Sequence, residues 1–346
     1  MTDELLQLEK LCVRFPVRRG VLQRTVGWVH AVDGLDLSVA AGETVALVGE
    51  SGCGKSTTAL AAMGIVPAAS GRVLVNGKDL TSSRGDELRT ARRRMQMVFQ
   101  DPTSSLNSRM TVGQIVVEPL IVHELVERDR QRERVGELLS TVGLGDDAIE
   151  RFPHEFSGGQ RQRIAIARAL AAEPDVLICD EAIASLDVSV RAQVINLLTR
   201  LQSELGLSYL FISHDLAAVR HLAHRVMVMY LGKMMELTDN ETLYSSPAHP
   251  YTKALLSAVP IPDPDLELAR ERVILAGDVP SPVSPPSGCV FRTRCPIAQD
   301  VCAEAVPEWR NVGGGRAGHW VACHFAEPPS SVTLRGTSIE SRQRLG

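Results

Sequence analysis

The stretch VGESGCGKST at positions 48–57 constrains this chain more than any other. It sets three glycines, a lysine and several hydroxyls where an apolar run gives way to a helical one. Its spacing is G-x-x-x-x-G-K-S, with Gly49, Gly54, Lys55 and Ser56 at the fixed positions. Glycines let consecutive backbone N–H groups turn inward around phosphate oxygens. A helix beginning near Lys55 aims the positive end of its dipole at the same point. Lys55 is placed to reach β- and γ-phosphates, and the Ser56 hydroxyl to take a Mg²⁺ position. The flanks agree: TVALV reads as a buried strand and KSTTALAAM as a helix start. The segment predicts a nucleoside triphosphate site.

Around this loop the chain alternates. LLQLEKLCVRF and VDGLDLSVAAGETVALVG read as strands, separated by a basic insertion, PVRRGVLQRTVGWVH, with no clear period. GRVLVNGKDL and MQMVFQ read as further strands, with a basic helix from Arg84 to Arg94 between them. From Asp101 to about Phe156 the spacing is helical without a strand candidate, which predicts a helical insert. DVLICD, SYLFIS and RVMVMYLG then resume the strands, each followed or preceded by a helical stretch. This alternation predicts an α/β fold with a mostly parallel sheet and helices on its faces. After about Val259 prolines accumulate (VPIPDPDLE, GDVPSPVSPPSG), a linker composition, followed by a cysteine-bearing stretch of little regular pattern and a polar tail expected to be disordered. The expected division is a nucleotide-binding domain over residues 1–258, with its helical subdomain at about 101–158, and an extension over 259–346.

Composition narrows the partners. A net charge of −4 and only 4% aromatic residues give no support to nucleic-acid binding. No uncharged apolar run approaches the length of about 20 residues that a membrane span needs. The N-terminus MTDELLQLEK carries acids where a signal peptide carries basic residues. The expectation is a cytosolic protein that reaches a membrane only through a partner.

Hydrolysis requires more than a phosphate cradle. VLICDEA ends an apolar run in Asp180 and Glu181: the first is placed to hold Mg²⁺ through water, the second to orient or deprotonate an attacking water. LFISHD repeats the arrangement and puts His214 at a strand end, in reach of a γ-phosphate. Gln100 ends MVFQ, and its amide can coordinate Mg²⁺. FSGGQRQRIAIARAL sets Ser157, Gly158 and Gly159 at a second glycine-led helix start, a second anion-binding terminus. Two phosphate readers on one chain imply a nucleotide shared with another subunit. Arg161, Arg163 and Arg168 read as a solvated or salt-bridged face, and His221 and His224 as helix-surface residues.

Taken in order, GESGCGKST, FSGGQRQR, LICDEAIASLDVS and SHD resemble the nucleotide-binding subunits of ATP-binding cassette (ABC) transporters, over essentially the whole chain. The wording of QMVFQDPTSSLNSRMTVGQIVVEPL, HPYTKALLSAVPIPDPD and PPSGCVFRTRCPIA is similar to the oligopeptide/dipeptide import branch. The resemblance implies a RecA-like core with an antiparallel β subdomain, a helical subdomain and a small cysteine-containing extension. It further implies a head-to-tail dimer with ATP between the two cassettes. ATP would be held by Gly49, Glu50, Ser51, Gly52, Cys53, Gly54, Lys55, Ser56 and Thr57 of one chain and by Ser157, Gly158, Gly159 and Gln160 of the other. Phe15 would stack on adenine, with Trp28 a rival. Ser56, Gln100 and Asp180 would hold Mg²⁺, Glu181 would be the catalytic base and His214 the switch histidine, and Ser185 to Asp187 would signal across the dimer. The implied partners are a second cassette, two membrane-spanning permeases at the cytoplasmic face of the membrane, and through them an external binding protein. A groove between Gln100 and the SGGQ helix would receive a permease coupling helix. Glutathione, nickel chelates and a non-transport regulatory role remain alternatives to peptide import.

Two features depart from the common pattern. Ala182, Ile183 and Ala184 follow the acidic pair where the family usually has Pro and then Thr or Val, so the rigidity of that loop is open. Cys289, Cys295, Cys302 and Cys323 have the spacing C-x5-C-x6-C-x20-C, unlike the usual structural zinc patterns. Four thiolates would suit a [4Fe–4S] cluster, as in relatives with a similar tail, with zinc (and His319 or His324 as a ligand) or simple burial as alternatives. Cys53 and Cys179 read as packing residues, Cys53 with a possibility of alkylation.

Overall fold

The computed structural model describes residues 4–21, 23–260, 273, 275–315 and 318–327. Most of VPIPDPDLE and the polar tail lie outside the described residues.

Two sheets organise the chain. The first is antiparallel. A long ribbon of β1 (Glu4–Arg19) and β2 (Arg24–Ala40) pairs through β1 with β4 (Ser70–Val75) and then β5 (Lys78–Asp79). The basic insertion that shows no period in the sequence is the distal part of this ribbon. Phe15 pairs with Val29 and Pro16 with Trp28 there. It lacks alternation because neither face is covered: Val21, Val26 and Trp28 are exposed.

The second sheet has eight strands. Its parallel part is built by β3 (Thr44–Val48), β6 (Met95–Val98), β7 (Val176–Asp180), β8 (Ser208–Ile212) and β9 (Arg225–Tyr230), in the order β6-β7-β8-β3-β9. Residues of β3, β7 and β8 are buried throughout, which is why they read as unbroken apolar runs. Alternate β3 residues serve two cores. Val45 and Leu47 face the antiparallel sheet, while Ala46 and Val48 face the helical side.

Helix α1 (Lys55–Ala62) follows β3 and lies against β1, β2 and β7. Helix α2 (Gly85–Arg94) leads into β6. Between β6 and β7 no strand occurs. Helices α3 (Pro102–Ser105), α4 (Val112–Val122), α5 (Gln131–Thr141) and α6 (Gly158–Leu170) pack on one another. The α6 arginines tie these helices together rather than forming a solvated face: Arg163 donates to the Val142 carbonyl (2.8 Å), Arg168 to that of Ser105 (2.7 Å) and Arg161 to that of Pro153 (2.9 Å). Helix α7 (Val188–Leu205) precedes β8, and α8 (Leu216–Leu222) precedes β9. His221 is exposed on α8, but His224 lies beyond it and accepts a hydrogen bond from the Thr44 N–H (3.0 Å).

The stretch expected to lack regular structure extends the main sheet. Past β9 come β10 (Lys233–Asp239), then β12 (Trp320–Ala322) and β11 (Trp309–Asn311), all antiparallel. Strands of three residues leave too little pattern to read, and their pairing is made with a strand some eighty residues away. Helices α9 (Asn240–Ser245) and α10 (Pro250–Ser257) lie between. At the start of α10, fully buried Glu236 accepts the backbone N–H groups of Ala248 and His249 (both 2.8 Å) and pairs with the ring of buried His319 (2.6 Å). Burial alone would raise its pKa, but these hydrogen bonds hold Glu236 below the ordinary carboxylate range.

Candidate nucleotide site

Three neighbouring parallel strands end in one row. Leu47 of β3 is level with Ile212 of β8, which is level with Asp180 of β7. The loops leaving the carboxyl ends of these strands therefore face one crevice, the place where open α/β sheets take ligands.

The loop after β3 shows why its glycines are needed. Gly49 has φ +152°, and a Cβ there would lie 2.2 Å from the Met229 carbonyl. Gly54 has φ +110°, and its Cβ would meet the Ala31 carbonyl at 2.1 Å. Gly54 is also the N-cap of α1 and gives it no side-chain cap, so the first N–H groups of that helix are unclaimed by a capping side chain. Lys55 is 4% exposed and donates to the carbonyls of Gly49 (2.9 Å) and Glu50 (3.0 Å). Ser51 and Gly52 form the exposed tip. Cys53 is buried, and burial raises its thiol pKa, so it is a packing residue and a poor target for alkylation.

The acidic residues converge on this loop. The Ser56 hydroxyl donates to Asp180 (3.0 Å). Asp180 is 6% exposed; burial, with repulsion from Glu181, raises its pKa against the opposing pull of Ser56 and Lys55. The donor set Ser56, Gln100 and Asp180 is one carboxylate with two neutral oxygens, which suits a hard, partly hydrated Mg²⁺.

Glu181 adopts φ +47°, a left-handed conformation uncommon for a bulky side chain, held by its N–H to the Ile212 carbonyl (2.9 Å). Its carboxylate accepts from the Gln100 amide (2.9 Å) and sits 3.4 Å from Nδ1 of His214, whose side chain is 56% exposed. Three residues on three strand ends thus meet at one carboxylate. The unusual Ala182 and Ile183 are buried, and the turn closes through the Ala184 N–H to the Glu181 carbonyl (3.0 Å). The side chains of Ala182 and Ile183 both join the main apolar core.

The SGGQ residues lie elsewhere. Ser157 caps α6 and accepts the Gln160 N–H (3.4 Å), while the Gln160 side chain takes the Ser157 N–H (3.0 Å). Ser157, Gly158 and Gln160 are exposed, whereas Gly159 packs so closely on Val190 that a Cβ would approach Cγ1 to 2.2 Å. No hydrogen bond joins this turn to the phosphate loop among the described residues. Leu186, within the Ser185–Asp187 segment, lies beside Gly158. Its carbonyl accepts from Arg191 (3.1 Å), and Arg191 also pairs with Asp215, next to His214. Arg191 therefore links two loops that the sequence identifies separately; its own signal, an arginine four residues after Asp187, is too common to single out. Phe15 and Trp28 lie on opposite faces of the ribbon, since no register shift separates their pairs, so only one of them can face a bound base.

The expectation of a metal at the cysteines is not supported. All seven cysteines are unpaired, and Cys289, Cys295, Cys302 and Cys323 are close enough for their charges to disfavour one another. Burial, added to by these neighbours, pushes Cys289 up to about 11. Among the described residues, however, no three His, Cys, Asp or Glu side chains are arranged to hold a metal ion. Cys289 and Cys302 are packed into the main core and Cys323 into a separate cluster with Val312, Val321 and Ala326. His319 is occupied by Glu236, and His324 by the Ala305 carbonyl. The arrangement supports neither a [4Fe–4S] cluster nor zinc.

The comparison with known proteins agrees with the geometry. The ABC transporter family profile matches residues 32–184, and the profile described as the oligopeptide/dipeptide transporter C-terminal region matches residues 235–302. The oligopeptide transport ATP-binding protein OppF of Salmonella typhimurium is 52% identical, over 94% of this chain and 97% of its own length. AppF of Bacillus subtilis, described likewise, is 50% identical over 93% and 98%. Among solved structures, cbiO1 of Clostridium perfringens superposes with TM-score 0.60 at 31% identity, covering 70% of this chain and 92% of its own. A post-hydrolysis dimer of the cassette MJ0796 with ADP and Pi gives TM-score 0.60 at 25% identity, covering 68% and 98%. A phosphate loop and acidic strand ends on a cassette core, joined to relatives at half identity over nearly their full length, place this chain in the ATP-binding protein family of ABC transporters, in its oligopeptide/dipeptide import branch.

Proposed function

We propose that this chain binds and hydrolyses ATP to energise import of peptides through a membrane permease. The single observation that carries the reading is the convergence of Gln100 and His214 on the Glu181 carboxylate, one residue after the Asp180–Ser56 pair. Glu181 orients an attacking water and takes up its proton, and His214 and Gln100 hold that carboxylate in line. Lys55 and the free N–H groups of the loop and α1 bind the phosphates. Ser56, Gln100 and Asp180 would hold Mg²⁺, which supplies charge neutralisation at the phosphates. Ser157, Gly158 and Gln160, exposed and without a hydrogen bond to the phosphate loop among the described residues, serve with buried Gly159 the nucleotide of a second cassette, so that triphosphate bridges two chains and its hydrolysis releases them. Residues 1–258 form the cassette, with the helical subdomain at 101–158 facing the permease, and residues 259–346 form the branch-specific extension. No helix among the described residues is long and apolar enough to cross a membrane, so attachment to it runs through the permease. The relatives' names favour peptides as cargo over glutathione or nickel chelates.

The test is purification of the tagged chain from membranes. Two multi-span permeases and a second cassette should accompany it, and peptide uptake by vesicles holding the complex should require ATP and stop in E181Q. Recovery of ribosomes or DNA in place of permeases would reject the reading.

A further inference from the structure

The phosphate loop is held from outside the cassette's own motifs. Every polar group of Glu50 is engaged. Its carbonyl accepts Lys55 Nζ (3.0 Å), its N–H donates to the hydroxyl of Tyr251 (2.9 Å), and its carboxylate pairs with Arg294 (2.7 Å). Tyr251 belongs to α10, and Arg294 to the cysteine-bearing segment 244 residues further along the chain than Glu50. Neither contact is a surface accident. Tyr251 is fully buried, and the Arg294 side chain is 9% exposed.

Both residues sit on a rigid aromatic base. Phe291, three residues before Arg294, meets Tyr230 edge-on (5.3 Å between centroids, 85°) and Tyr251 at a tilt (5.3 Å, 54°). Tyr230 and Tyr251 are themselves 4.8 Å apart, and the Arg294 guanidinium lies 6.0 Å from the Tyr230 ring centroid. Tyr230 ends β9, the strand beside β3, so the base is anchored to the same sheet that launches the loop. A low-exposure arginine–carboxylate contact is charge-assisted and directional, unlike a solvated surface pair.

We propose that Arg294 and Tyr251 are positioning residues: through Glu50 they hold the phosphate loop in its phosphate-binding shape, so α10 and the C-terminal extension together set nucleotide affinity without touching nucleotide. This rests on the reading of the loop as an ATP site. With the brace in place, Glu50 cannot swing, and the carbonyls of Gly49 and Glu50 stay fixed toward Lys55. Without it, the loop has more conformations to lose when it binds phosphate, and that cost falls on affinity rather than on the chemistry at Glu181.

The test uses the assembled transporter and reads KM for ATP separately from kcat. R294Q should raise KM about three- to tenfold while kcat stays within about twofold, a hydrogen-bonded charge having been removed. R294K should recover part of the loss, and Y251F should raise KM about threefold. In an E50Q background, R294Q should add no further effect. An unchanged KM in both R294Q and Y251F overturns the proposal, and so does an equal R294Q effect with and without E50Q. A fall in kcat at unchanged KM overturns it as well. Should R294Q fail to assemble, Y251F and E50Q decide between these outcomes. K55A separates the two readings: if K55A still binds ATP normally, the nucleotide site itself is misplaced, whereas lost binding in K55A with a normal R294Q rejects only the brace.

Discussion

The chain starts two helices on glycine-led turns, and their surroundings are opposite. At Lys55 the N-cap is Gly54, without a capping side chain, and the loop before it is enclosed by Met229, Ala31, Tyr251 and Arg294. At Gly158 the N-cap is Ser157, which forms a complete capping box with Gln160 and stands in solvent. The first turn is a rigid cradle with free donors. The second is self-sufficient as a helix end and presents its donors outward. The contrast teaches that one chain holds one enclosed cradle and one outward-facing turn, which is the arrangement the proposed sharing of nucleotide between two cassettes calls for.

The comparison can be broken at several points. The largest effect is expected from K55A, which removes the ammonium buried at the cradle: binding of a fluorescent ATP analogue should fall at least about a hundredfold, and an unaltered titration curve would contradict the cradle. E181Q should lower kcat by about a hundredfold or more while ATP binding persists. Light scattering should then find an ATP-dependent dimer of cassettes; brisk turnover in this variant would remove Glu181 from the chemistry. S157R sharpens the contrast directly. Because Ser157 is exposed, the chain should fold and bind the ATP analogue within about twofold, yet ATPase of the assembled transporter should drop about ten- to a hundredfold, a range set by the loss of charge-stabilising donors. If binding and turnover fell together, the turn would belong to the same chain's site.

The smallest effect concerns pH. Burial lowers His249, at the start of α10, from 6.5 to about 4, so the native state keeps it neutral where the unfolded chain is protonated. Stability from this residue is complete above pH 6.5 and is lost as pH falls through about 4. The loss amounts to about 3 kcal/mol. Glu236 adds to it in the same direction, since its lowered pKa is a stabilisation that disappears on further acidification. H249N keeps an acceptor for the Tyr251 N–H that His249 now receives (3.0 Å). Its denaturant midpoints should change less between pH 6.5 and 4 than those of the parent chain, and parallel curves would remove His249 from the acid response.

Much of the site was legible because its residues are short-range chemistry. The G-x-x-x-x-G-K-S spacing, the acidic pair ending an apolar run and the histidine ending the next one each report a strand end, and parallel strands in register bring such ends together. The SGGQ turn was legible for the same reason, as a helix start written in consecutive residues. The cysteine spacing counts ligands without showing how they are arranged: the four thiols lie near one another, yet Cys289 and Cys302 pack in one apolar cluster and Cys323 in another, and no metal-holding group is found among the described residues.

Alone, the amino-acid order determined the chemistry of the nucleotide site, the parallel core and the helical insert, since periodicity and backbone demands act over a few residues. Tertiary structure decided the rest. It paired Trp309–Asn311 and Trp320–Ala322 with the edge of the main sheet, made Arg191 a link between two loops, and brought Arg294 to Glu50. Those contacts join positions that are distant along the chain, and no local propensity encodes a partner that only folding brings within reach.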